Sequence, residues 1–252
     1  MKGSNKLFSI SAKGFYFWCI QCVLFALPFL VSAQKKASPK GKKAIWSIKH
    51  TADFELTGDT LGDTWATIPW TLLSLRDPGK SKNATGVKLL YSSTGVYCLF
   101  WCEDQKITST RKDDFTDLFN EDVVEVFFWT EEKHPIYFEY ELSPYNKELA
   151  ILVPNLNGSF MGWRPWNYSG NKLTRRAAKI YTSGESVTGW SAEFFIPYAL
   201  LRPLANVPPV KGTTWRINTY RIDYDLDKAH WWWQPTSPNF HDYKSFGTLK
   251  FD

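Results

Sequence analysis

Hydrophobic and polar residues alternate with a period of two along most of the chain after about residue 86. The alternating segments are rich in β-branched and aromatic residues, and Gly, Pro, Asn or Ser lies in the gaps, which is typical of short β-strands joined by turns. The predicted strands are 86–91, 95–102, 121–129, 136–142, 148–153, 176–181, 186–195, 214–222 and 246–251. A helical turn is indicated only near 197–201. Many short strands without intervening helices predict an all-β fold, an antiparallel two-sheet β-sandwich of the jelly-roll type.

The same alternation assigns side chains to the two faces of each strand. Even-numbered positions of 121–129 and 136–142 are apolar, whereas the odd-numbered positions carry carboxylates and aromatic rings together. In 186–195 the rule points Trp190 inward and Glu193 outward. The polar groups of the second face are Glu121, Glu125, Glu139 and Glu141, joined by Asn218 on 214–222. A face of this composition is expected to meet water or a ligand rather than a second sheet.

The first 33 residues have the layout of a secretory signal peptide. Lysines at the start are followed by an apolar stretch at 15–30, and Val31, Ser32 and Ala33 place small residues before Gln34. An apolar stretch of about 16 residues is short of the roughly 20 that a membrane anchor needs. We therefore expect cleavage before Gln34, export to the periplasm, the cell surface or the medium, and no transmembrane segment after cleavage.

Positive charge is concentrated near the predicted cleavage site. The formal net charge is +5, and the run QKKASPKGKK occupies 34–43. This composition predicts a flexible basic tether over 34–49, followed by a single domain at 50–252, a length that suits one all-β domain. The domain itself has no basic excess, so nucleic acid is not an expected partner. The sequence leaves the oligomeric state open.

Cys98 and Cys102 are the two cysteines that follow the predicted signal peptide. Four residues apart on one strand, they share a face, but their Cα atoms would lie roughly 13 Å apart. A disulfide needs less than about 7 Å. The sequence therefore predicts two buried free thiols.

Tryptophan is unusually frequent, with 13 residues in the chain. Sugars present weakly polarised C–H faces and many hydroxyls, so flat aromatic surfaces and fixed hydrogen-bonding groups suit them. Many of these rings can equally fill the core of a sandwich, where aromatics bury large areas. The runs GWRPW at 162–166 and HWWWQP at 230–235 differ, because neighbours on a strand point to opposite faces. We expect some of their rings to be exposed.

A series of motifs runs in a fixed order through residues 50–252. The motifs are VKLLY (87–91), GVYCLFWCED (95–104), EDVVEVFF (121–128), YFEYELSP (137–144), GWSAEFFIP (189–197), WRINTYRID (215–223) and FHDYKSFGTLKF (240–251). No single motif is distinctive, but the ordered set resembles the family 9 carbohydrate-binding modules, and most of all the stand-alone family 9-like proteins exported by Bacteroidetes-type bacteria. The resemblance implies a β-sandwich that binds an oligo- or polysaccharide without catalysis and supports polysaccharide capture or breakdown.

The resemblance also implies a site. Family 9 modules hold the reducing-end sugar between two tryptophans, and these positions fall here on Phe119 and Phe240. The family's carboxylate matches Glu125, whereas an arginine on the next strand falls on Glu141, which reverses the charge. We therefore expect a sugar pocket flanked by the two Phe rings, with a floor formed by Glu125, Glu139, Glu141 and Asn218.

Because both clamp positions are Phe, another set of rings is an alternative platform for the sugar: Trp163, Trp166, Trp231 and Trp233. The family also carries structural calcium. Asp104 and Asp122 are the candidate ligands, and Asp59 and Asp63 are further oxygen donors of the kind that a hard cation prefers, although no loop has diagnostic spacing.

Two other functions remain open. A glycoside hydrolase would need two carboxyl groups ~5–10 Å apart, and Glu125 with Glu139 or Glu141 on adjacent strands would suit it. A haem-binding sandwich would need axial ligands such as Met with His or Lys. Met161 is the one methionine that follows the predicted signal peptide.

Overall fold

The structure is a computed structural model that describes residues 43–156, 159–166, 168–225 and 228–252. The predicted signal peptide and most of the predicted tether lie outside the described residues. The described strands are β1 (Ile45–His50), β2 (Thr71–Leu72), β3 (Ser74–Leu75), β4 (Thr85–Tyr91), β5 (Gly95–Glu103), β6 (Val123–Trp129), β7 (Ile136–Leu142), β8 (Glu148–Leu156), β9 (Ser159–Phe160), β10 (Arg164–Pro165), β11 (Arg175–Ser183), β12 (Ser186–Pro197), β13 (Thr214–Asp223), β14 (Ala229–Trp232) and β15 (Gly247–Phe251).

Helical structure is limited to single turns in this part of the chain. The α-helical turns are α1 (Asp63–Ala66) and α2 (Tyr198–Leu201), and 3-10 turns occupy Leu118–Asn120, Gly170–Lys172 and Tyr243–Ser245. All nine predicted strands are present, and α2 lies where the sequence indicated a turn. The all-β prediction is confirmed. Among the described residues, no helix is long or apolar enough to span a bilayer.

Two sheets are joined through β1. The first has the order β10-β8-β7-β6-β13-β15-β1, and the second has the order β1-β4-β5-β12-β11. β1 runs parallel to β15 over residues 45–48 and parallel to β4 at Lys49 and His50. The other described pairings are antiparallel.

The position of β1 corrects the predicted extent of the tether, 34–49. Residues 45–49 belong to the sheet: Ile48 is buried in the core, and the Trp46 ring lies 5.2 Å from that of Trp233. This short strand does not stand out in the sequence, because lysines flank it and its apolar residues Ile45, Trp46 and Ile48 do not alternate strictly with polar ones.

The core lies between the two sheets and is built from the faces that the alternation predicted to be apolar. Val124, Val126 and Phe128 of β6 pack in one cluster with Trp190 and Phe194 of β12. The same cluster contains Cys98 and Cys102, which are buried and free. The prediction of two buried free thiols is confirmed.

The outer face of the second sheet is covered by the segment 51–70. The Phe54 and Trp65 side chains of this segment pack with rings on that face. Glu193 does point to this face, as predicted, but it is buried rather than exposed to solvent. Its carboxylate accepts a hydrogen bond from Trp65 Nε1 (2.7 Å) and from the backbone N–H groups of Thr57 and Gly58 (2.8 Å each).

The outer face of the first sheet carries a second cluster of aromatic and aliphatic residues. Phe127 of β6, Tyr137 of β7 and Tyr220 of β13 contribute to it, and the partly buried rings of Phe119, Trp163 and Phe240 pack against it. The loops that carry these last three rings leave an opening in the cover, and the candidate site lies there.

Candidate functional site

A pocket of about 230 Å³ opens on the outer face of the first sheet. Five of the residues predicted for the site line it: Phe119, Glu125, Glu139, Trp163 and Phe240. Strands β6 and β7 supply the two glutamates, a 3-10 turn supplies Phe119, and loops supply Trp163 and Phe240. The structure therefore brings together the predicted clamp positions, part of the predicted carboxylate floor and one ring of the alternative platform.

The aromatic walls are held by ring contacts. Phe119, in the 3-10 turn before β6, meets Trp163 edge-on, with ring centroids 6.0 Å apart. Phe240 stacks on Tyr220 of β13 at 3.9 Å, with an angle of 13° between the ring planes. The Tyr220 hydroxyl also donates a hydrogen bond to the Phe240 carbonyl at 2.9 Å. Phe119 and Trp163 thus belong to one pocket rather than to two competing sites.

The floor consists of carboxyl groups on neighbouring strands. Glu125 of β6 lies directly opposite Glu141 of β7, and Glu139 lies opposite Phe127. One carboxylate oxygen from each of the three glutamates lies within 4.8 Å of the others. Like charges directly across a sheet are destabilising, so this arrangement is one that packing alone does not favour.

All three glutamates are buried, with exposed fractions of 2% for Glu125, 3% for Glu139 and 0% for Glu141. Burial raises the pKa of Glu125 to about 8, and the charge of Lys228 opposes this shift. Burial, followed by the charge of Glu125, raises the pKa of Glu139 and of Glu141 well above the usual range. Glu141 lies beneath the others and does not line the pocket, which departs from its predicted place in the floor.

The pocket also has lining residues that the sequence did not predict: Arg76, Asn120, Lys228, His230, Asn239 and His241. Arg76 reaches the pocket because the two-residue strand β3 pairs with β14, and so short a strand has no visible alternation. His241 follows Phe240 directly, so its position next to a predicted clamp residue could have indicated that it lies near the pocket. Burial lowers the pKa of His230 and of His241 to about 4, which keeps both rings neutral at pH 7.

Asn218 does not line the pocket, although the sequence placed it in the floor. It is buried, and its Nδ2 donates to the Tyr220 hydroxyl (2.7 Å) and to the Gln234 carbonyl (2.8 Å). Its Oδ1 accepts the Gln234 N–H at 2.9 Å. These bonds fix Tyr220 beneath Phe240, so Asn218 acts on the pocket through Tyr220.

The other rings of the alternative platform lie elsewhere. Trp231 is buried in the inter-sheet core, with the Arg221 guanidinium 4.6 Å from its ring centre. Trp233 packs against Trp46 and so closely on Gly247 that a Cβ there would clash. Trp166 is half-buried, and its Nε1 donates to a backbone carbonyl at 3.3 Å. Of the tryptophans in the two tryptophan-rich runs, only Trp163 lines the pocket.

The aspartates predicted to bind calcium do not form one ligand set. Asp104 groups with Asp223 and Asp225 within 4.8 Å, but Arg221 donates to Asp104 at 3.0 Å and to Asp223 at 2.9 Å. Asp122 instead accepts backbone N–H groups, including that of Tyr224 at 2.7 Å. Because the buried Arg221 guanidinium already pairs with two of its three carboxylates, this aspartate group fits a structural calcium only in part.

Burial raises the pKa of Asp104 to about 6 and that of Asp122 to about 7. The other two aspartates considered for calcium lie on the segment 51–70: Asp59 forms an ion pair with Lys179 at 3.1 Å, and Asp63 begins α1. Met161, considered as a haem ligand, has an exposed side chain.

The architecture is that of known β-sandwich proteins. A candidate carbohydrate-binding protein from Bacteroides uniformis superposes with a TM-score of 0.69 at 17% identity, covering 84% of this chain and 100% of that one. A family 9 carbohydrate-binding module from Caldicellulosiruptor kristjanssonii, in complex with cellotriose, superposes with a TM-score of 0.61 at 14% identity, covering 83% of this chain and 94% of that one.

A family 9 module from the same organism in complex with glucose gives a TM-score of 0.61 at 14% identity, with 83% of this chain and 96% of that one covered. No protein-family profile matches the sequence, and no curated protein matches it. The chain therefore shares the fold of family 9 carbohydrate-binding modules, as its ordered motifs predicted.

Proposed function

We propose that this protein binds carbohydrate without catalysis and takes a sugar into the pocket on the outer face of the first sheet. The observation that carries the proposal is the convergence of Phe119, Trp163 and Phe240 with polar side chains in one concave site. Rings of this kind match the C–H faces of a sugar, and the polar groups match its hydroxyls. The fold adds support, because the C. kristjanssonii module of the same architecture is described with glucose and with cellotriose.

The size of the pocket indicates how much of a glycan it takes. Its volume of about 230 Å³ is below the roughly 300–1,000 Å³ of pockets for drug-sized ligands. A site of this size suits one sugar ring at the end of an oligo- or polysaccharide. Arg76 brings a guanidinium to the pocket from another element, and it supplies hydroxyl-binding donors although the family's arginine position holds Glu141.

We place this binding outside the cytoplasm, in the periplasm or at the cell surface. The support is the layout of residues 1–33 and the basic run that follows them. A tethered sugar-binding domain would hold glycans near the enzymes that degrade them and would thereby support polysaccharide breakdown through partners.

The proposal is tested by screening the protein that begins at Gln34 on a broad glycan array and titrating the best ligand by calorimetry. Phe119→Ala, Trp163→Ala and Phe240→Ala should each weaken binding about tenfold, since a ring stacked on a sugar contributes on the order of 1–2 kcal/mol. Tyr145→Ala is the matched control, because this exposed aromatic residue lies outside the pocket, and it should bind as wild type.

Wild-type affinity in all three pocket variants would place the binding site elsewhere. The same samples should be assayed for released reducing ends. Hydrolysis that is lost in Glu125→Gln would replace the binding function by that of a glycosidase.

A further inference from the structure

Stacking of aromatic rings on a sugar gives no reason for three glutamates to lie together at the base of the pocket. Glu125 and Glu139 line the pocket, and Glu141 lies at its base. They are among the most deeply buried carboxyl groups of the described chain, and one oxygen of each lies within 4.8 Å of the others.

These carboxyl groups are also poorly compensated. Oε2 of Glu139 and both carboxyl oxygens of Glu141 are buried and accept no hydrogen bond of normal geometry from the described residues. The one basic side chain within ion-pair distance of them among those residues is that of His241, whose Nδ1 lies 3.8 Å from Glu139 Oε2. This nitrogen already shares a hydrogen bond with the Tyr137 hydroxyl. A buried carboxylate without a partner is costly. Lys228 brings a positive charge to Glu125, but among the described residues Glu139 and Glu141 have no ion-pair contact besides that of His241. A bound cation would therefore lower the cost of burying these carboxyl groups.

The geometry suits a small, hard cation. Ca²⁺ takes six to eight oxygen ligands at about 2.3–2.6 Å, so two oxygens on one ion lie at most roughly 5 Å apart. The 4.8 Å limit on the three glutamate oxygens satisfies this condition. An ammonium group on a sugar ring would match the negative charge of the glutamates. It would not reach Glu141, which is 0% exposed and does not line the pocket.

We propose that Glu125, Glu139 and Glu141 form a divalent-cation site of the oxygen-liganded class at the floor of the pocket. This site is distinct from the aspartate group around Arg221. The ion lies between the buried Glu141 and the pocket, so its remaining coordination positions face the ligand. Hydroxyl oxygens of a bound sugar then complete the coordination, a step that rests on the proposed function.

The cation site is tested with the metal alone, by titrating Ca²⁺ into chelator-treated protein that begins at Gln34. The wild type should bind one Ca²⁺ that Glu139→Gln and Glu141→Gln bind at least tenfold more weakly, since an isosteric amide keeps the size but removes the charge. Asp225→Asn is the control for the other acidic group and should retain this ion. Thermal unfolding in chelator shows that each variant is folded, and Glu125→Gln is the reserve if one is not.

Three outcomes would overturn the proposal. The first is wild-type Ca²⁺ affinity in all three glutamine variants, and the second is loss of the ion in Asp225→Asn alone. The third is a wild-type protein that binds no divalent cation at millimolar concentration. The sugar step has its own test: the glycan found on the array should bind at least tenfold more weakly in chelator than in Ca²⁺. An unchanged sugar affinity would overturn that step and leave the cation site standing. Ca²⁺ binding without any glycan binding would instead overturn the proposed function.

Discussion

At the scale of single residues, the pocket depends on which face of β6 and β7 each side chain occupies. The alternation of side chains along each strand predicted that Glu125 and Glu139 share a face, because this alternation depends only on local backbone geometry. The depth of each side chain depends on what covers the strand, and this is why the sequence could not show that Glu141 lies beneath the pocket. Asn218 shows the same limit: its face was predicted, but its hydrogen bonds to the backbone of Gln234 depend on a segment 16 residues further along the chain.

The buried cysteines give a prediction at this scale. Burial raises the pKa of Cys102 to about 12 and that of Cys98 well above its usual value. At pH 8 fewer than about one Cys102 thiol in a thousand is therefore ionised, and the thiolate is the reactive form. In the protein that begins at Gln34, neither thiol should react with a disulfide reagent within minutes, and both should react after unfolding in urea. Fast reaction of two thiols in the native protein would show that this face of β5 is not in the core.

At the scale of elements, the outer faces of the two sheets are covered in different ways. Loops close over the outer face of the first sheet and leave the pocket, whereas the segment 51–70 closes over that of the second. Short strands and covering loops were not predictable, because β3 and β14 are too short to show alternation and the segment 51–70 forms no strand of its own. The sequence around Glu193 therefore predicted a strand whose Glu193 side chain faces solvent.

Glu193 is predicted to attach the segment 51–70 to the second sheet. Glu193→Ala removes the acceptor for the Trp65 indole N–H and two backbone N–H groups. Each buried donor left without a partner costs about 1–3 kcal/mol, so the free energy of unfolding should fall by more than about 3 kcal/mol in urea titrations. Glu185→Ala, in an exposed turn, is the matched control and should change it by less than about 0.5 kcal/mol. Equal losses for the two variants would mean that Glu193 does not hold the segment.

At the scale of the whole molecule, the order of motifs predicted the sandwich because it sets which strands follow one another in the chain. The connection between the two sheets could not be predicted from the sequence, because β1 pairs with β4 and with β15, which lies some 200 residues away in the chain. Ile48 carries this connection into the core, and its backbone carbonyl accepts the Asp252 N–H at 3.1 Å. The residues before the predicted domain boundary at 50 are thus part of the fold.

The contribution of β1 is tested by deleting residues 44–50 from the protein that begins at Gln34. Burying Ile48 contributes roughly 1.5–3 kcal/mol, and each backbone hydrogen bond to β15 and β4 adds about 1 kcal/mol. The deletion should lower the free energy of unfolding by at least roughly 4 kcal/mol, a large share of the ~5–15 kcal/mol of a typical domain. Deleting residues 35–41 removes the same length from the basic segment and should leave the urea midpoint unchanged. If both deletions leave it unchanged, the sheets are joined without β1 and the domain begins at 50, as the sequence alone predicted.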